Sequence, residues 1–321
     1  MAILVYTENW DGKFKKLSFE LLSYASKIAE MSGESVTALS IGQVAESELA
    51  QLAEYGAKKI LKVESEELDV LDNRVYTKII SEAASKEGAA IVLLAHNNVG
   101  KALAPRLAVR MNAGIGTGLS GLPDSLNPFT IGKKVFSGKA SADLEIKSKA
   151  KVLTLAQNSI EVYGTKMDVN IETFSPEAQL LSFTKRKSIE KQTGKIILTD
   201  AEIVVSAGRG LKSPDNWGPV EELADLLGAA TACSRPVSDE GWRPHGEHAG
   251  QTGKIIAPNL YIAAGISGAI QHLAGISSAK FLVAINTDPD APIFEAADYG
   301  IVGDVHKILP ELISIVKESK L

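Results

Sequence analysis

Short apolar runs rich in β-branched residues alternate with amphipathic segments along this chain, and that alternation limits the fold more than any other feature. Ile3–Thr7, Ser35–Ile41, Lys59–Val63 and Ala90–Ala95 read as strands. Between them Ser18–Met31, Ala45–Tyr55 and Asn73–Lys86 carry apolar residues at helical spacing, as with Leu21, Leu22, Ala25, Ile28 and Ala29 in the first. A strand apolar on both faces must be covered on both, and crossover helices do this in a parallel sheet. The expected class is α/β, with a mainly parallel N-terminal sheet sandwiched by helices. Lys101–Met111 adds a further helix. The Gly-, Ser- and Pro-rich stretch Asn112–Phe129 reads as loop. Lys133–Ser137, Leu144–Lys147 and Lys151–Leu155 read as antiparallel strands added to the same sheet.

With 321 residues, the chain is about twice the length of a typical domain. Phe183–Thr193 is charged and without periodicity, so it is the linker candidate, separating a domain at 1–189 from one at 190–321. Beyond it the alternation resumes. Glu202–Ala207, Ala229–Ala232, Leu260–Ala264 and Phe281–Asn286 read as strands, and Val220–Leu227, Ser267–Ala274 and Val305–Lys317 as helices. This second domain is expected to be doubly wound and Rossmann-like.

Charge and composition exclude several classes of function. The 34 basic and 39 acidic residues are interspersed and leave a net charge of −5, which provides no concentrated basic face for nucleic acid or an anionic membrane. The cluster Lys185-Arg186-Lys187, with Lys191 nearby, is short and fits a solvated linker. The single cysteine, Cys233, allows neither an intrachain disulfide nor a multi-cysteine metal site. No apolar run reaches the roughly 18 residues of a membrane span. Ile3-Leu4-Val5 follows Met1 so closely that it reads as a first strand rather than a targeting segment, so the expectation is a cytoplasmic protein without membrane insertion.

The N-terminal domain carries little chemistry. Gly114-Ile115-Gly116-Thr117-Gly118 could bring backbone N–H groups to a phosphate or could simply connect two elements. No strand leads directly into it and no helix clearly follows, so the connecting role is preferred. His96, at a strand end, fits a hydrogen-bonded structural group. This domain is therefore assigned to structure and partner contact.

The C-terminal domain has two junctions where an apolar strand ends in glycines: Ile203–Ala207 before Gly208-Arg209-Gly210, and Leu260–Ala264 before Gly265-Ile266-Ser267-Gly268. Ligands of open α/β sheets bind at that edge. At the second junction, N–H groups and a helix dipole could hold a pyrophosphate, with Ser267 adding a hydroxyl. The long segment Cys233–Lys254 contains Ser234, Arg235 and Gly250-Gln251-Thr252-Gly253. Its Arg, Gln and Thr could donate to an isoalloxazine ring, or the segment could be a surface loop around a buried arginine salt bridge. Asn286 and Asp304 stand at element ends where they could meet a ribose or adenine edge, and Asp304 is equally placed to cap the last helix.

These segments, in order, resemble the alpha subunit of electron transfer flavoprotein: SAGRGLKS at Ser206–Ser213, GQTGKIIA at Gly250–Ala257, LYIAAGISGAIQHLAG at Leu260–Gly275, VAIN at Val283–Asn286, and APIF with ADYGIV between Ala291 and Val302. The likeness is dense over residues 201–310 and looser before them, where ILVYTE also looks familial. It implies a heterodimer with a beta subunit and FAD held chiefly by the C-terminal domain of this chain. Electrons would pass from acyl-CoA and other dehydrogenases, as in fatty acid β-oxidation, to a quinone reductase. AMP or a second FAD is expected in the partner subunit.

Carried over by position, the resemblance sets Arg235 and Ser234 against the isoalloxazine, Thr252 near N5 with Gln251 and Gly253, and a donating or protonated His272 at the C2 carbonyl. Arg209, Gly265, Ser267, Gly268 and Gln271 fall at the pyrophosphate or ribityl region, and Asn286 and Asp304 at the adenosine end. Two positions depart from the family pattern. Thr287 stands where a lysine is common, and His248 where a glutamine is expected.

A carrier needs no general base or nucleophile, which agrees with the lack of a convincing Ser/His/Asp set, and no catalytic residue or metal site is expected. A related reading is an NADH-oxidising, electron-bifurcating flavoprotein subunit. An NAD-dependent enzyme would want an acidic residue about 20 positions beyond a GxGxxG motif, and none is placed there. An adenine-nucleotide sensor would leave Arg235, Thr252 and His272 without a task.

Overall fold

The crossover helices predicted from the apolar pattern set the strand order in both halves of the chain. The computed structural model describes residues 2–65, 68, 70–136, 140–177, 187–188 and 196–319. The chain divides into two compact units, Met1–Ile189 and Glu190–Leu321. Apart from Lys187 and Ser188, the linker candidate Phe183–Thr193 lies outside the described residues.

In the first unit, β1 (Ala2–Tyr6) leads through a small hairpin, β2 (Asn9–Trp10) and β3 (Lys13–Phe14), into α1 (Lys16–Ser32). Then follow β4 (Ser35–Ile41), α2 (Glu46–Gln51), β5 (Lys59–Val63), α3 (Asn73–Glu87), β6 (Ile91–Ala95), α4 (Asn98–Arg110) and β7 (Gly114–Leu119). Three further strands, β8 (Ser125–Leu126), β9 (Phe129–Val135) and β10 (Ala140–Glu145), precede β11 (Lys151–Leu155) and β12 (Asn170–Thr173). The main sheet has the order β12-β5-β4-β1-β6-β11-β7 and every pairing in it is parallel. Leu21, Leu22, Ala25 and Ile28 of α1 cover one face, and Val75, Ile79, Ile80, Leu103 and Leu107 of α3 and α4 cover the other. This is the sandwich the apolar strands require.

Three expectations for this unit need correction. Lys151–Leu155 is not antiparallel: β11 lies parallel between β6 and β7, because Val152 and Leu153 are both fully buried and a strand apolar on both faces belongs inside a sheet. The two runs before it form a separate three-stranded antiparallel sheet, β10-β9-β8, rather than extending the main one. Phe129 and Ile131 turn into the core beside Leu119 and Ile146, which lays this small sheet against the large one. Finally, Gly114–Gly118 is neither a phosphate loop nor a plain connection but most of the edge strand β7. Gly116 leaves room for Leu153, and Gly118, at φ 66°, lies against the His96 ring.

In the second unit, β13 (Ile203–Ala207), α5 (Gly218–Leu227), β14 (Ala230–Cys233), α6 (Arg235–Asp239) and β15 (Leu260–Ala264) come first. They are followed by α7 (Ile270–Ile276), β16 (Phe281–Asn286), α8 (Ile293–Ala296), β17 (Tyr299–Val302) and α9 (Val305–Ser319). The all-parallel sheet has the order β14-β13-β15-β16-β17. Val220, Leu223, Leu309 and Ile313 of α5 and α9 pack on one face, and Ile276 and Ile293 from α7 and α8 on the other. Helices on both faces make this unit doubly wound.

The placement of β11 has a direct energetic consequence. Leu153→Ala opens a cavity in a sheet interior and should lower stability by about 2–5 kcal/mol in urea unfolding of the full chain. Ile171→Ala, on the half-buried edge strand β12, should cost less than about 1.5 kcal/mol. Equal losses at the two positions would contradict the interior position of β11.

Candidate functional site at the carboxyl ends of β13 and β15

In a doubly wound sheet the loops part where the strand order reverses, and ligands bind in the crevice that this leaves. Here the reversal falls between β13 and β15. After β13 the chain crosses to α5 on one face, and after β15 to α7 on the other. A cleft of about 480 Å³ opens at the carboxyl ends of these strands. Arg209, Ser234, Arg235, Thr252, Gly265, Ser267, Gln271, His272 and Asn286 all line it. A larger hollow of about 600 Å³ lies in the first unit beside Gly88, Met111 and Lys149, at the amino ends of β6 and β11, away from the edge where such sheets bind ligands.

Of the other residues singled out from the sequence, Gln251, Gly253 and Gly268 lie beside lining residues, and Asp304 stands outside the lining at the start of α9. Gln251 donates its backbone N–H to the Gln271 carbonyl at 2.7 Å, fastening the 250–253 turn to α7. Gly253 packs so closely on His248 that a Cβ would come within 2.3 Å of the His248 carbonyl. Gly268, at φ 86°, abuts the Ile293 backbone. Asp304 accepts from the His306 N–H at 3.0 Å at the start of α9, and this bond holds its carboxyl below the usual range. Its placement is that of a helix cap, with a long 4.0 Å contact to Lys212.

The junction glycines do something the sequence reading did not anticipate. They were expected to mark a ligand-binding edge, yet the tightest contacts of Gly208, Gly210 and Gly265 are with each other. A Cβ on Gly208 would lie 2.3 Å from the Gly265 carbonyl, and one on Gly210 would lie 2.6 Å from the Gly265 Cα. Gly265 adopts φ 63°, and its carbonyl accepts from the Gly210 N–H at 3.1 Å. The two strand-end loops therefore interlock at the cleft floor. The helix after Gly268 also begins later than expected, at Ile270, so Gly265–Ala269 forms a turn ahead of it.

The cleft wall is rich in donors, and no Asp or Glu is among its lining residues. Arg235 opens α6 and is tied only loosely, by Nε to Asp239 at 3.2 Å, with 61% of its side chain exposed. Arg209 lies 3.7 Å from Glu240 and is 65% exposed. Such surface pairs contribute little, so both guanidinium groups are free to take an anionic ligand. Ser267 and Gln271 are exposed on the α7 side. Asn286 spends its amide on structure: Nδ2 donates to the Ile266 carbonyl at 2.9 Å, and Oδ1 accepts from the Asp288 N–H at 3.0 Å.

Like Ser234 and His248, His272 is buried in the cleft wall. Burial pushes its pKa down to about 4, against a weaker favourable effect of the Ala249 backbone, so the ring is neutral at ordinary pH. Nε2 lies 2.9 Å from the Tyr261 hydroxyl, while Nδ1 is buried without completing a hydrogen bond among the described residues. A donor-lined cleft free of carboxylates, with an orphaned imidazole nitrogen in its wall, suits a large ligand that carries phosphates and ring carbonyls. An FAD meets that description.

Of the two readings of Cys233–Lys254, the arginine salt bridge is met by Arg243, while Arg235 stands in the cleft wall. Arg243 carries the buried ion pair, with Nε 2.7 Å from Glu247, NH1 2.8 Å from Glu221, and the guanidinium 5.2 Å from the Trp217 ring centre. The segment holds α6 and is not irregular throughout. Two residues near the cleft were missed as contributors. His248, noted only as a departure from the family pattern, lines the wall, and Tyr261 backs His272. The Cys233 thiol is pushed up to about 12 by burial and is inert. In the first unit, His96 Nδ1 lies 2.8 Å from Thr154 Oγ1, and burial lowers its pKa to about 4, as for a structural histidine.

Residues 197–277 match the family model described as the electron transfer flavoprotein FAD-binding domain, and residues 3–179 match the electron transfer flavoprotein domain. The electron transfer flavoprotein subunit alpha of Syntrophomonas wolfei is 38% identical over 317 residues, covering 98% of each chain. The protein of the same name from Bacillus subtilis is 34% identical over 324 residues, covering 98% of this chain and 97% of its own. An acryloyl-CoA reductase electron transfer subunit beta of Anaerotignum propionicum is 31% identical over 361 residues, covering 99% and 96%.

Two measurements test the geometry. Gly265→Ala places a Cβ against the Gly210 backbone at positive φ and should lower stability by about 2–4 kcal/mol in urea unfolding. The second concerns pH. His272 and His96 titrate near 4 in the fold, against an ordinary value of 6.5. Between those values the unfolded chain binds protons that the native one does not, so stability is full above about pH 6.5 and falls toward pH 4. The slope should approach about 1.4 kcal/mol per pH unit for each histidine, and His272→Gln should remove its share. A profile flat below pH 6.5 in cofactor-free protein would contradict the burial of both rings.

Proposed function

The chain belongs to the electron transfer flavoprotein family, as its alpha subunit with an FAD-binding domain, and we propose that it pairs with a beta subunit and carries electrons from acyl-CoA and other dehydrogenases to a quinone reductase. The observation that carries this reading is the donor-lined, carboxylate-free cleft at the switch point between β13 and β15. Bound FAD supplies reversible two-electron chemistry that no side chain of this protein offers.

The residues divide the work of holding it. Arg235 and Ser234 face the isoalloxazine, where the guanidinium opposes negative charge. Thr252 lies at the N5 side on a turn held by Gln251 and Gly253. His272 donates to the C2 carbonyl. Arg209, Ser267 and Gln271 take the pyrophosphate and ribityl region with the Gly265–Gly268 turn, and Asn286 and Asp304 serve the adenosine end. The loose ion pairs of Arg209 and Arg235 support their release to a ligand. The first unit is proposed to serve structure and partner contact, with AMP in the beta subunit.

Because the Anaerotignum propionicum relative bears the name of a CoA-ester reductase's electron transfer subunit, an NADH-oxidising, bifurcating role is the second reading. Direct reduction by NADH and two FAD per heterodimer would favour it, whereas one FAD and one AMP would favour the first.

The complex purified with its beta partner should show flavin absorbance that bleaches when a partner dehydrogenase and its substrate are added. A complex that stays colourless after reconstitution with FAD would overturn the assignment. Arg235→Ala should lower the flavin midpoint potential by about 30 mV, the two-electron equivalent of about 1.4 kcal/mol, because a cation beside the reduced ring is lost.

A further inference from the structure

His272 is held from behind the cleft by a residue that touches no ligand. Tyr261 lies in the middle of β15, fully buried, with its hydroxyl 2.9 Å from His272 Nε2. The ring centres are 6.0 Å apart. Beside the phenol lies the Ser206 hydroxyl of β13, also fully buried and without a hydrogen-bond partner among the described residues. These groups form a short buried row that ends at the imidazole.

A neutral imidazole has one proton and two nitrogens, and the row decides between them. With the proton on Nε2, the ring donates to the phenol oxygen, and the buried phenol proton is left with no acceptor among the described residues. With the proton on Nδ1, Tyr261 donates to Nε2, and the phenol proton has its acceptor. An unmade hydrogen bond in a buried site outweighs the small intrinsic difference between the tautomers.

We propose that Tyr261 is a positioning residue that fixes His272 as the Nδ1–H tautomer, so that its unpaired nitrogen is a donor and not an acceptor. The tautomer follows from this chain alone. Its use, donation to a ring carbonyl of the cofactor, rests on the FAD reading above.

The test is nitrogen-15 NMR of histidine-labelled full chain in its complex with the beta partner, both free of FAD and loaded, since protonated and unprotonated ring nitrogens resonate far apart. His272 should carry its proton on Nδ1 in both states. Tyr261→Phe should move the proton to Nε2 or average the two signals, and should weaken FAD binding about tenfold, the effect of one hydrogen bond. In a His272→Ala background the same change should leave FAD affinity unaltered. A wild-type proton on Nε2 overturns the proposal even if the Phe variant does not fold. It is equally overturned by an unchanged pattern in Tyr261→Phe, or by equal weakening in the His272→Ala background, which would make Tyr261 a packing residue. If wild-type complex takes up no FAD while Nδ1 remains protonated, the cofactor reading fails and the tautomer stands.

Discussion

The contact between two stretches of bare backbone, Gly208–Gly210 and Gly265, is the constraint on which the rest of the site depends. Parallel strands β13 and β15 deliver their chains to one edge, and the chains must then leave toward opposite faces of the sheet. They part only after interlocking, with the Gly210 N–H on the Gly265 carbonyl and no room for a Cβ at any of the three glycines. Arg209 is thereby set on one wall of the cleft, and Ser267 and α7 on the other. A second close approach repeats the device: a Cβ on Gly275 would fall 2.4 Å from the Gly250 Cα, which seats the turn carrying Thr252 against α7. Preorganisation of this kind reaches the cofactor through the backbone, and side chains complete it.

What the sequence discloses follows from where physics leaves a pattern. Strands covered on both faces must be apolar throughout, and β1, β4, β6, β13 and β15 were legible for that reason. The edge strands β7, β12 and β17 were not. An edge needs neither two apolar faces nor strong β propensity, so Gly114–Leu119 fell in a stretch read as loop, and Asn170–Thr173 and Tyr299–Val302, with their glycine or polar residues, were given no element. The antiparallel assignment of Lys151–Leu155 failed for a related reason. Neighbours along a chain are commonly neighbours in a sheet, but β11 is drawn inward by the burial of Val152 and Leu153.

At the site, the kinds of residue were legible and their division of labour was not. Arg235 and Arg243 belong to one segment and carry the same group. Arg243 is held by Glu247 four residues on and by Glu221 from α5, whereas Arg235 meets only a loose partner at the cleft. Nothing local in the sequence separates them, because Glu221 is brought near only by the fold. Likewise the glycines of both junctions signalled close backbone approach correctly, but the partner they approach is the other loop. Tyr261 carried no signal at all, since an aromatic residue in a buried strand is ordinary core.

The placement of charge in the cleft follows from the cost of burying it. An imidazolium in the position of His272 would sit nearly out of reach of water with no carboxylate lining the cleft beside it, and burial drives it neutral. The fixed positive charge is carried instead by Arg209 and Arg235, whose guanidinium groups are more than half exposed and stay hydrated when nothing is bound. A neutral donor inside and hydrated cations at the rim stabilise negative charge on a bound ring without destabilising the empty protein. The same logic explains why the inner donor needs a backing residue. A charged histidine would donate from both nitrogens whatever lay behind it, whereas a neutral one donates toward the cleft only if its other nitrogen is made to accept. In this fold the group that can make it do so is the phenol of Tyr261, one strand residue whose sole hydrogen bond among the described geometry points at His272.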